Sequence, residues 1–153
     1  TVCERHESGW PYEYLGGQVS KTLVSVLRRH CADIESCWAA TWAGFGDNPA
    51  SIASFPHVVE IRYPGGGHEH LLSRGSLSYI ESGGGPEGIW PQFLRSPNYW
   101  WPSGREWLVG SEIDTGATYI GCSSDCANEV LALGIKGLVA VKGSDRAIPD
   151  FDL

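Results

Sequence analysis

Four groupings of side chains in this sequence have types and spacings that could do chemistry. Glu112 and Asp114, in "SEID", stand two residues apart. On a strand both carboxylates would face one side, roughly 7 Å apart, where they could hold a divalent cation or act as acid and base. His68 and His70, in "GGGHEH", share that two-residue step and could chelate a metal from one strand face. Cys122 and Cys126, in "CSSDC", would lie on one face of a helix. Finally, Cys31 or Cys37 with the neighbouring His30 has the composition of a thiol nucleophile and its base.

Each grouping also has a plainer reading. Carboxylates beside a hairpin turn are readily solvated, and Leu108 and Gly110, which precede Glu112 and Asp114 on the same strand face, do not extend a polar patch. His68 and His70 follow a glycine turn, where solvated histidines are common. No second Cys/His pair completes a zinc site, no G-x-S-x-G elbow presents a serine, and "GGGH" lacks the Lys and Ser/Thr of a phosphate loop. A thiol at a helix end before an aromatic strand is more often core than reactive. Glu112 and Asp114 therefore stand as candidate catalytic residues without an assigned reaction, and His68 and His70 as candidate metal ligands. No bound metal or other cofactor is expected. An odd count of five cysteines suits free thiols in a reducing compartment.

These groups must be positioned by local structure, and several elements are legible. Val19, Leu23, Val26 and Leu27 recur at helical spacing, with Arg28, Arg29 and His30 in the last turn, where positive charge suits the helix dipole. "CWAATW" reads as a buried strand bounded by the turn signal "GDNPAS". "HVVEIRY" alternates and "HEHLLSRG" returns across "PGGG" as its antiparallel partner. The prolines of "IWPQFLRSPNYWWPSG" argue against a regular ladder, so an irregular segment is expected in which Trp90, Phe93, Trp100 and Trp101 partly cover the sheet. From Arg105 alternation resumes and gives a hairpin over 105–122. Ser123, Ser124 and Asp125 can cap a short helix ending near Gly134, and "KGLVAVKG" is a last strand. The sum is an α+β single domain with a mostly antiparallel sheet and two main helices. Residues 1–15 read as an N-terminal extension, 16–142 as the core and 143–153 as a tail.

"RRHCADIESCWAATWAGFG" together with "SPNYWWPSGREWLVGSEIDTGATYIGCS" resembles a family of uncharacterised actinobacterial proteins. Its members carry RH, CW, W and GFG, followed by SPN, WP, R-W, EID, TY and G-S in that order. The resemblance spans roughly residues 16–133. It implies no activity, because the family has none assigned.

Composition narrows the function classes. The formal charge of −7 opposes approach to phosphate backbones and anionic lipid surfaces. Nucleic acid and membrane are accordingly not expected as partners. No apolar run reaches the roughly 20 residues that span a bilayer, and "TVCERHESGW" lacks a signal peptide's apolar stretch, so the reading is cytoplasmic. Trp90, Tyr99, Trp100 and Trp101 gather in the proline-rich segment, and tryptophan and tyrosine are enriched at interface hot spots. The preferred function is a soluble protein-binding domain with a basic partner, by analogy with toxin-neutralising immunity proteins. The alternative is a hydrolase using the carboxylate pair or a bound metal. Within the segment, Trp107 is expected in the core and at least one of Trp100 and Trp101 at the surface.

Overall fold

The computed structural model describes residues 2–5, 17–44, 57–63, 66–78, 97–111 and 117–144. The predicted apolar stripe forms helix α1, Gly17–Arg29, and buries Leu23, Val24, Val26 and Leu27 to 1 % exposure or less. A second helix, α2, covers Ser124–Leu131. The Ser123 side chain caps it by accepting from the Cys126 N–H. Gly134 beyond it adopts a φ of 65°, a left-handed conformation that glycine takes without a Cβ clash.

The strands are β1 (Val2–Arg5), β2 (Cys37–Trp42), β3 (Val58–Tyr63), β4 (Gly66–Gly75), β5 (Tyr99–Pro102), β6 (Trp107–Ser111), β7 (Ala117–Cys122) and β8 (Leu138–Ala140). They form one sheet in the order β3-β4-β2-β5-β6-β7-β1-β8, and every pairing is antiparallel. The α+β class, the β3–β4 hairpin and the β6–β7 hairpin agree with the sequence reading. No helix among the described residues is long and apolar enough to cross a membrane.

One expectation is overturned. The proline-rich segment does carry a ladder: β5 lies at the centre of the sheet between β2 and β6. Its prolines bracket the strand and do not interrupt it, since Pro97 precedes it and Pro102 ends it. Buried Asn98 supplies the bonds that seat it. Asn98 Oδ1 accepts from the Trp42 N–H at 2.8 Å, Nδ2 donates to the Ser111 carbonyl at 3.2 Å, and its own carbonyl accepts from the Ser111 N–H. Within the span read as an N-terminal extension, Val2–Arg5 is a strand of the sheet, paired with β7 on one side and β8 on the other. Four residues without distinctive periodicity could not announce that pairing.

Both helices cover the same sheet face. Leu23, Val26 and Leu27 of α1 and Cys126 and Val130 of α2 share one core with Cys37, Trp100, Trp107, Val109 and Ile120. The Trp107 indole N–H donates to the Leu27 carbonyl at 3.0 Å, and its ring meets Trp100 edge-on at 5.3 Å. Outside the core, Glu129 on α2 ties the helices together. It accepts from Arg29 at 2.6 Å and pairs with His30 Nε2 at 3.1 Å.

Trp107→Ala should cost ~3–5 kcal/mol through lost burial and the cavity left behind, and Trp100→Ala should cost a similar amount because both rings are 2 % exposed. Denaturant midpoints for the two variants check this. The Glu129 carboxyl lies below its ordinary value of 4.5, with the Arg29 hydrogen bond as the main cause. A carboxylate depressed in this way stabilises the fold above that value and loses its contribution as the pH falls through the folded pKa. Glu129→Gln should therefore lower the melting temperature at pH 7 by about 1–3 °C, the scale of an exposed ion pair, and the difference from wild type should vanish once acid protonates the carboxylate.

Candidate functional site

Residues directly opposite in antiparallel strands share a face, so the register assigns the second side of the sheet. Trp38 stands opposite Trp101 and Arg74, Tyr99 opposite Gly110 and Ala40, and Leu108 opposite Gly121. None of these lies under α1 or α2. The face is therefore aromatic, and its rings are only partly buried: Trp38, Trp42, Tyr99 and Trp101 all retain intermediate exposure.

Ile61, Tyr99, Trp101, Arg105 and Leu108 line a groove of about 480 Å³ together with Trp107 and Gly121. Ile61 belongs to β3 and Gly121 to β7, and four strands lie between these two in the sheet order. For both to line one groove the sheet must curl around this face. Gly110 makes room for the Tyr99 ring. A Cβ there would come within 2.9 Å of the Tyr99 ring. At the rim, Arg105 holds a φ of 62°, uncommon for a residue with a side chain. Its N–H closes the turn onto the Pro102 carbonyl at 2.9 Å.

Neighbouring polar groups stiffen the same face. The Arg74 guanidinium stacks over Trp38 at 5.3 Å and donates to Ser36 Oγ, which shares a 2.8 Å hydrogen bond with Ser103 Oγ. His70 is 1 % exposed and meets Tyr99 edge-on at 5.3 Å. Its Nδ1 carries the proton, since it donates to the His68 carbonyl at 2.9 Å. The His68 ring lies 5.7 Å from Trp42.

The sequence-derived candidates are distributed unevenly over this arrangement. Tyr99 and Trp101 reach the groove. Trp100 does not: alternation along β5 turns it into the helix-covered core, so its assignment to a binding surface is corrected. His68 and His70 do share a strand side, but both rings are engaged with aromatic neighbours. Among the described residues no group of three or more His, Cys, Asp or Glu could hold a metal ion. Trp90, Glu112 and Asp114 lie outside the described residues. Cys122 and Cys126 do not share a helix face, because Cys122 ends β7 and only Cys126 is helical. His30 turns to Glu129, and the Cys37 thiol donates to the Ile34 carbonyl at 3.8 Å.

Sequence reading missed Arg105, Ile61 and Leu108. Arg105 had one faint signal, the turn "PSGR" ahead of a strand. Ile61 and Leu108 had none, since their meeting depends on the curl of the whole sheet. No family model matches this chain, and no curated protein or solved structure is significantly similar to it.

Proposed function

We propose that this chain is a protein-binding domain whose contact surface is the aromatic groove, and that its partner presents a basic surface around an apolar anchor. The observation that carries this reading is the convergence of Tyr99, Trp101 and Arg105 on one groove, beside Ile61 and Leu108. Tyrosine, tryptophan and arginine are the residue types that dominate interface hot spots. Rings fixed in strands give large contact area at little entropic cost on binding. The left-handed Arg105 supports it, because backbone strain of about 1–3 kcal/mol clusters where geometry serves a contact. The charge of −7 supports a basic partner, since complementary fields speed encounter and disfavour acidic competitors. A cytoplasmic immunity protein that covers a cationic toxin is one form such a pair takes.

The test compares wild type with Trp101→Ala as bait in pull-downs from the native host, followed by affinity measurement on the partner recovered. Trp101→Ala should keep the denaturant midpoint within about 1 kcal/mol of wild type while weakening binding roughly 30-fold, the scale of a hot-spot truncation. Higher salt should slow association with the basic partner. Recovery of the same partner with equal affinity by Trp101→Ala would remove the groove from the interface.

A further inference from the structure

The chain is acidic, with a formal charge of −7, yet the charged residue among the described residues that line the aromatic groove is a cation, Arg105. Its guanidinium is uncommitted. Arg28 donates to Ser78, Arg29 pairs with Glu129, Arg62 pairs with Glu60, and Arg74 meets Ser36 and the Trp38 ring. Among the described residues, Arg105 alone of these five arginines has no side-chain hydrogen bond, ion pair or ring contact. The carboxylate next to it in sequence does not neutralise it. Glu106 is committed to the turn after α1, where its Oε1 accepts from the Ala32 N–H at 3.1 Å. Gly104 leaves space for that arrangement, since a Cβ there would stand 2.6 Å from the same oxygen.

A guanidinium stays charged at every physiological pH, and its planar fork fits a carboxylate through two parallel hydrogen bonds. In the same groove, Tyr99 and Trp101 stand two apart on β5 and share a strand side, with Ile61 and Leu108 completing an apolar wall. The ligand chemistry that fits is an apolar body carrying one negative charge close by. In a polypeptide the C-terminal residue puts both on one Cα, whereas Asp and Glu carry the charge without an apolar side chain. A volume of about 480 Å³ lies within the roughly 300–1,000 Å³ range of pockets that enclose compact ligands, so the groove suits the end of a chain.

Resting on the protein-binding reading above, we infer that the groove captures the C-terminus of the partner, with the apolar last side chain against Trp101 and Tyr99 and the free carboxylate on Arg105. The basic residues of the partner then meet acidic surface outside the groove. Arg105 selects the chain end, and the rings supply the contact area.

The experiment titrates the ¹⁵N-labelled full chain with three peptides: N-acetyl-Lys-Lys-Leu-Phe as the free acid, its C-terminal amide, and the amide of N-acetyl-Lys-Lys-Asp-Phe, whose carboxylate is internal. The Trp101 indole N–H, assigned from its loss in Trp101→Ala, and the Arg105 backbone N–H are followed by NMR. The free acid should shift both signals and bind at least about tenfold more tightly than either amide, the scale of a charge-assisted pair. The sign is diagnostic, because a chain of charge −7 without a local cation attracts the more positive amide better than the acid. Arg105→Gly should keep the denaturant midpoint, since glycine takes a φ of 62° without a Cβ clash, and should lose the preference for the acid. Arg105→Asn, which also tolerates this backbone, should do the same. Equal affinity for the acid and its amide, equally tight binding of the internal carboxylate, an acid preference that survives in both Arg105 variants, or no shift with any peptide each overturns the inference. If acid and amide bind equally and Trp101→Ala weakens both, the groove remains a protein-binding surface and only the capture of a chain end falls.

Discussion

The hydrogen bond from the Trp107 indole to the Leu27 carbonyl joins helix α1 to the middle of the sheet, and much of the remaining order depends on it. Leu27 lies in the last turn of the helix, where carbonyls lack intrahelical donors. Its oxygen accepts from the His30 N–H and also from Trp107, so a side chain of β6 finishes the helix. The same indole presents its ring to Trp100. One residue thus satisfies a buried polar group, fills the core and fixes how far α1 can slide over the sheet.

With both helices committed to one face, the other is left to the sheet's own side chains. Alternation along β5 sends Trp100 inward and Tyr99 and Trp101 outward, so one run of three aromatic residues serves both the core and the groove. That division holds only if β5 is held in register. The register comes from Asn98, whose buried amide bonds to β2 and β6 at once. A polar residue buried to 1 % exposure is tolerated there because its amide oxygen, its amide nitrogen and its backbone carbonyl all have partners.

The turn that follows α1 connects the two sides. Cys31 and Cys37 sit at its ends beneath the helix, while Ser36 within it receives Arg74, the cation stacked over Trp38 on the aromatic face. Glu106 bonds to the same turn and immediately precedes Trp107. Ser36 and Arg74 thus link this turn, by hydrogen bonds and then a cation–π contact, to Trp38 on the aromatic face.

By itself the sequence determined the α+β class, helix α1, both hairpins, the Ser123 cap and the burial of Trp107. These follow from local signals: apolar period, turn residues, capping side chains and strand alternation all act within a few residues. Tertiary structure decided the rest. Pro97 and Pro102 forbid continuation beyond β5 but say nothing of Asn98 seating it, so the strand looked irregular from composition alone. Val2–Arg5 became an interior strand because β7 and β8 offered it two partners distant in sequence. The placement of Trp100 in the core and of Trp101 in the groove required β5 to have a register first. The groove itself, with Ile61 and Arg105 brought to the same place, exists because a twisted sheet curls, a property of eight paired strands that no short window of residues contains.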